Sequence, residues 1–256
     1  MNAQNSSQNL PPTNFDGALP VTEKPSPKVT IYADGSCLKN GSEFAQAGAG
    51  IILVSEDRRR IKLKACFLGA LTNQKAEILA CAVALESLKM PCRVQIFSDS
   101  KYVVETMLGK NRMKTNREFW NRLTRACLTH YIEWNWMRGH NGNPYQETAD
   151  RLSRAGALSK ENLDKDTLDR LAQLLQGAPG EAVVNMIHNG LKTLAARCDG
   201  ARKVDGQGFN KFDSELGKRF AEKCELTAQE ALVGRGILTK YRTQITAFDD
   251  QLALLV

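Results

Sequence analysis

The 256-residue sequence predicts an α/β protein: a mixed sheet flanked by helices over residues 28–158, followed by a smaller all-α segment over residues 159–256. Three observations predict it. Three apolar, strand-like runs follow one another with short loops between them; from residue 72 helical and strand periodicities alternate; beyond about residue 159 every periodic stretch is helical. Consecutive strands favour an antiparallel meander, and helix-strand alternation adds helices over the faces, so the two patterns together imply a mixed sheet.

Residues 1–27 are rich in Asn, Gln, Ser and Pro with little to bury, and are expected to form a disordered N-terminal tail. KVTIYADG (28–35) alternates as a strand should, AGAGIILV (47–54) is a second apolar run, and RRRIKLKACFL (58–68) puts Ile61, Leu63, Ala65 and Phe67 on one face. A helix is expected over 72–89. RVQIFSD (93–99) reads as a short buried strand, SKYVVETML (100–108) and NREFWNRLTRACL (116–128) as helices, YIEWNWM (131–137) as a strand, and PYQETADRLSRAG (144–156) as a helix. Asn143 and Pro144 start that helix as N-cap and N1, and Gln146 at N3 makes a near variant of a capping box. In the tail, Leu163, Leu168, Leu171, Leu174 and Leu175 mark NLDKDTLDRLAQLL (162–175). GEAVVNMIHNGLKTLAARC (180–198), FDSELGKRFAEK (212–223) and TAQEALVGRGILTKYRTQI (227–245) follow, the last opening with a Thr227 to Glu230 capping box. About four helices are expected there, as a small second domain or an appendage packed on the first.

The net charge of +7 is unevenly spread: residues 28–158 hold 20 Lys and Arg against 12 Asp and Glu, whereas residues 159–256 hold 14 of each. A polyanionic partner is therefore expected at the middle segment, a basic soluble surface being the alternative. Seven cysteines without a CxxC pair or zinc-type spacing argue against a disulfide framework or a structural metal cluster. No apolar run is long enough to span a membrane and no secretory leader is visible, which places the protein in the cytoplasm.

Glu77 falls on the face of the 72–89 helix that Ile78, Leu79, Ala82, Val83, Leu85 and Leu88 should bury. It is either an acid at the edge of an ordinary amphipathic helix or one that something outside the helix holds in place. Asp34 ends the first strand, Asp99 ends the fourth, and Asp150 lies one turn after Glu147 in the 144–156 helix. If the first and fourth strands are neighbours, these four acids meet at one edge of the sheet. Uncompensated, they would repel one another and take up protons. Divalent cations with a preference for hard oxygen ligands remove that conflict, and a pair of them is the arrangement of phosphodiester-cleaving enzymes.

The motifs ADGS around Asp34, TNQKAE ending in Glu77, FSDSKYVV around Asp99 and RGHNGNPYQETAD from Arg138 to Asp150 together make residues 29–157 resemble ribonuclease H of type 1. The resemblance implies a five-stranded mixed sheet and hydrolysis of the RNA strand of an RNA/DNA hybrid, leaving 5′-phosphate and 3′-hydroxyl ends. It also implies two Mg²⁺ ions, for which Mn²⁺ can substitute, held by Asp34, Glu77, Asp99 and Asp150. His140, in the Gly-rich GHNG loop, would assist proton transfer or product release. Asn40, Asn73 and Gln74 match residues that touch the minor groove of the hybrid, where a 2′-hydroxyl distinguishes RNA. Thr72 and Asn116 match positions that hold a DNA-strand phosphate, or serve as helix caps. Tyr102 is expected to offer a stacking surface for a deoxyribose.

Two departures stand out. Many relatives have Asn at the position of Gln146, and many insert a basic, Trp-containing protrusion where this chain has only LGKNRMKT with Lys110, Arg112 and Lys114. Weaker intrinsic hybrid affinity is expected of the catalytic segment alone. The tail offers Arg197, Arg202, Lys203, Lys211, Lys218, Arg219, Lys223, Lys240 and Arg242, so an accessory domain that binds nucleic acid is one reading and docking to a protein partner another. DGQGFN lacks the GK[ST] of a P-loop and the acids of a calcium loop. Resolvase, integrase or exonuclease relatives, and a hybrid-binding module without activity, are the competing classes.

Overall fold

A computed structural model describes residues 26–139, 142–198 and 207–256. The disordered tail expected over 1–27 falls almost wholly outside the described residues, as do His140, Arg202 and Lys203. Three strands, β1 (Lys28–Leu38), β2 (Gln46–Ser55) and β3 (Ile61–Gly69), form the expected antiparallel meander. Helix α1 (Asn73–Glu86) follows, then β4 (Arg93–Ser98), α2 (Lys101–Met107), α3 (Arg117–Cys127), β5 (Tyr131–Trp136) and α4 (Pro144–Ser159). The sheet order is β3-β2-β1-β4-β5, with β4 parallel to both β1 and β5. The first and fourth strands are thus neighbours.

One face of the sheet carries α1 and α3, whose core includes Ile31, Ile51, Ile78, Leu85, Ile96, Trp120 and Leu123. Helix α1 is buried without a break from Ala76 to Ala82, so it is not amphipathic in the usual sense. It lies between β1 and α3, and small alanines let it fit. The other face carries α4. Gly48, Gly50 and Gly156 set how close it comes: a Cβ at Gly50 would lie 1.9 Å from the Ala149 carbonyl, one at Gly48 2.1 Å from that of Ser153, and one at Gly156 2.7 Å from that of Cys66. The AGAG run in β2 is therefore a seat for a helix.

Among the described residues the tail holds six helices rather than about four: α5 (Lys165–Leu175), α6 (Glu181–Ala196), α7 (Ser214–Ala221), α8 (Ala228–Thr239), α9 (Arg242–Thr246) and α10 (Asp250–Leu255). The stretch 227–245 breaks at Lys240 and Tyr241, where the Tyr241 hydroxyl donates to Asp213 Oδ2 (2.7 Å) and accepts from Asn210 N–H (2.9 Å). The capping box of α8 forms as expected, Glu230 N–H donating to Thr227 Oγ1 (3.2 Å) and Thr227 N–H to Glu230 Oε2 (3.0 Å). The box expected at α4 forms only in half. Asn143 Oδ1 accepts from Tyr145 and Gln146 N–H (3.0 and 3.1 Å), but the Gln146 side chain turns inward, 2% exposed, instead of reaching back.

These tail helices share one apolar core with the sheet. Ile52, Val54, Leu63, Ala65, Ala149 and Leu152 belong to the same buried cluster as Leu171, Leu174, Val183, Ile187, Leu191, Leu238, Leu252 and Val256. Leu163 N–H also donates to the Ala65 carbonyl of edge strand β3 (3.2 Å). Among the described residues no helix is long and apolar enough to cross a membrane.

Candidate active site

The parallel pair β1 and β4 ends at Tyr32 opposite Phe97, while β1 continues to Leu38 against β2. Asp34 therefore does not end its strand, as the sequence suggested; it lies two residues past the last β1–β4 pair, where the sheet opens. Its side chain points to the α4 face and accepts a hydrogen bond from Ser153 Oγ. Asp99 follows the last residue of β4, its carbonyl accepting from Trp136 Nε1 (2.9 Å), and Lys101 Nζ lies 4.6 Å over that indole. A Cβ at Gly139 would stand 2.6 Å from Asp99 Oδ2, so a larger residue there would push that carboxylate aside. Glu77 arrives from the opposite face. Gly35 permits this, because a Cβ there would lie 2.3 Å from the backbone of Ala76 and Glu77, and its N–H donates to Glu77 Oε2 (3.1 Å).

Asp34, Glu77 and Asp99 each present a carboxylate oxygen within 4.8 Å of the others. Asp34 is 4% exposed and Glu77 9%. Burial first, then the charges of Asp99 and Asp150, push Asp34 up to about 7 from 3.8, against the opposing Ser153 hydrogen bond. Burial and the neighbouring Asp34 and Asp99 hold Glu77 well above its usual 4.5. Asp150 stands outside that trio, its Oδ1 accepting from Arg154 Nε one turn on (3.0 Å).

Repulsion among buried acids is relieved by a bound cation, and an all-carboxylate donor set suits a hard divalent ion. The residues present fit Mg²⁺ or Mn²⁺.

The remaining predicted residues lie on the loops and helix starts that follow these strands. Asn40 Oδ1 accepts from Asn73 N–H (3.1 Å), joining the loop after β1 to the start of α1, where Thr72, Asn73 and Gln74 are exposed. Thr72 and Asn116 occupy the N-cap positions of α1 and α3, yet neither side chain caps its helix; Asn116 adopts a left-handed φ of 59°. Tyr102 is half-buried with its ring edge-on to Trp120 at 5.3 Å. Lys110, Arg112 and Lys114 are exposed in the short link between α2 and α3. Ser153 and Arg154 were missed by sequence reasoning. Their only signal was position, three and four residues after Asp150 on the same helix.

An open α/β sheet binds its ligand beyond the carboxyl ends of its parallel strands, where connections leave to opposite sides, and here that crevice holds the acids. Fold and site together define an α/β protein with a mixed five-stranded sheet and a cluster of carboxylates where that sheet opens. The family model for RNase H matches residues 26–158, and the chain belongs to the ribonuclease H family. It is 34% identical over 145 residues to the ribonuclease H of Phenylobacterium zucineum (strain HLK1), covering 51% of this chain and 91% of that protein. To the ribonuclease H of Pseudoalteromonas translucida (strain TAC 125) it is 37% identical over 150 residues, covering 53% and 94%. Among solved structures, LC9-RNase H1, described as a type 1 RNase H with the type 2 active-site motif, is 27% identical, with a TM-score of 0.47 over 56% of this chain and 80% of that one.

Proposed function

We propose that this ribonuclease H cleaves the RNA strand of RNA/DNA hybrids with two divalent ions, leaving 5′-phosphate and 3′-hydroxyl ends. The convergence of Asp34, Glu77 and Asp99 within 4.8 Å, from two strands and a helix on opposite faces, is the observation that supports this reading most. These three acids and Asp150 would hold Mg²⁺, with Mn²⁺ as a substitute. When bound, the ions supply Lewis-acid activation of water and charge neutralisation at the leaving 3′-oxygen.

The chain's own groups do the rest. Gly35 N–H and Ser153 Oγ fix the Glu77 and Asp34 carboxylates before substrate arrives, which lowers the cost of assembling the site. Asn40, Asn73 and Gln74 read the minor groove, Tyr102 packs on a deoxyribose, and Thr72 and Asn116, whose side chains are not committed to capping, hold a DNA-strand phosphate. His140 moves a proton or helps release product. The setting is cytoplasmic, and residues 159–256 form an accessory unit for nucleic acid or a protein partner.

The test is cleavage of a labelled RNA/DNA hybrid beside matched RNA/RNA and DNA/DNA duplexes in Mg²⁺, with EDTA as control. Hybrid-only, EDTA-sensitive cutting is expected. Cutting of DNA/DNA, or none of the hybrid, would overturn the substrate assignment.

A further inference from the structure

Helix α4 does two things on two faces. Toward the sheet opening it presents Asp150, and Ser153 Oγ donates to Asp34. Arg151, about 100° further round the helix, turns the other way into the tail and is 8% exposed. Its Nη1 donates to the Val256 backbone carbonyl. Two more guanidiniums reach the same end of α10: Arg235 of α8 donates from Nε to the Leu255 carbonyl (2.7 Å), and Arg242 donates from Nε to the Ala253 carbonyl (3.0 Å). Two of the last carbonyls of α10, and that of the C-cap Val256, are thus taken by arginines from three different elements.

The last carbonyls of a helix lack intrahelical donors and carry a partial negative charge, which a guanidinium complements in both charge and direction. Placing a buried guanidinium beside two half-buried ones is costly unless each has such a partner. The bonds to α10 offset that cost only while α4, α8 and α9 keep their places, so the clamp sets the position of α4. Asp150, the residue before Arg151, stands just outside the carboxylate trio and is held by Arg154. Mg²⁺ demands near-octahedral geometry with ligands at about 2.0–2.1 Å, so a few tenths of an ångström at α4 matter there.

We propose that Arg151 is a positioning residue for Asp150: through the arginine clamp on α10, the C-terminal helices hold α4 where Asp150 can join the metal site, so the tail sets metal affinity. This rests on the reading of Asp150 as a metal ligand.

The experiment uses the full chain and compares wild type with Arg151→Met, which keeps the aliphatic stem but removes the donors, and with Asp150→Asn and Tyr241→Phe. Tyr241→Phe removes the tail bond to Asp213 (2.7 Å) and leaves the clamp intact. Mn²⁺ binding without hybrid is measured by calorimetric titration, beside the Mg²⁺ concentration for half-maximal cleavage and the thermal midpoint. Arg151→Met should weaken Mn²⁺ binding and raise the Mg²⁺ requirement about 10-fold, the range for residues that orient metal ligands. Tyr241→Phe should lower the thermal midpoint without moving either metal readout. Arg242→Met, which removes another arm of the clamp, should shift both metal readouts less and in the same direction, and supplies the test should Arg151→Met fail to fold. Wild-type metal binding in the arginine variants, with Asp150→Asn impaired, would overturn the clamp and leave the Asp150 reading standing. Wild-type binding in Asp150→Asn would overturn both.

Discussion

Replacing Asp34 by Asn should make the metal-free protein more stable above neutral pH. Asp34 titrates near 7 rather than 3.8, a displacement of about three units. At about 1.36 kcal/mol per unit, ionising it in the folded state costs up to about 4 kcal/mol. The sign follows from proton binding: between the two values the folded chain still holds the proton that the unfolded chain has lost. Stability therefore falls as pH rises from about 4 through about 7, the reverse of a salt-bridged acid. Glu77 is raised by burial and by Asp34, so it adds a decline of the same sign, smaller once Asp34 is neutral. Urea unfolding in EDTA, followed by tryptophan fluorescence at about pH 5 and about pH 8, measures the difference. From Asp34, wild type should be less stable at the higher pH by about 2.7 kcal/mol, because about two of the three units lie between pH 5 and pH 7, roughly 5–11 °C in midpoint for a chain of this size. The Asn variant should lose most of that drop, and added Mg²⁺ should rescue wild type more than the variant. A wild type equally stable at both pH values, or a variant with the full drop, would refute the reasoning.

Asp99→Asn should keep the fold and reduce hybrid cleavage at least about 1,000-fold, since several kcal/mol of charge stabilisation depend on the ligand set; substantial residual Mg²⁺-dependent activity would count against its role. Gly50→Ala should cost about 3 kcal/mol in urea unfolding, because its Cβ meets the Ala149 carbonyl at 1.9 Å and a helix must move to accept it. Wild-type stability in that variant would mean that α4 is not seated on the glycines.

The catalytic half was readable because its signals are local. Strand alternation, the D, E, D, D order and the turn residues each sit in a short window, and the meander and the β1–β4 adjacency emerged as expected. The end of β1 was misjudged because one strand pairs on two sides for different lengths: the parallel partner stops opposite Tyr32 while β2 continues to Leu38. The AGAG run read as apolar strand, and its role as a helix seat needed the partner surface at Gly48 and Gly50. Gln146 fitted a capping position by spacing, but burial drew its side chain inward. The break at Tyr241 had no local signal, because Asp213 and Asn210 that hold its hydroxyl lie about 30 residues away.

The tail's cations illustrate how folding decides which charges remain for a partner. Lys223 pairs with Glu230, Lys240 with Asp213 (2.8 Å), Arg242 with the end of α10, and Arg197 stacks over Phe248 at 4.7 Å. Among the described residues Lys211 and Lys218 form no ion pair, and Phe212 between Lys211 and Asp213 is 92% exposed. If the tail grips hybrid, these are the groups to do it. Cutting the chain after residue 158 would be a poor test, because it uncovers Ile52, Val54 and Leu63, each worth about 1.5–3 kcal/mol, and mixes binding with unfolding. Reversing charge at Lys211 and Lys218 in the full chain avoids that. If both meet phosphates, hybrid affinity should weaken and the slope of log K against log salt should become shallower by about 1 for each phosphate left without its lysine. An unchanged slope with an unchanged thermal midpoint would remove these lysines from substrate binding and leave the tail its packing and its hold on α4.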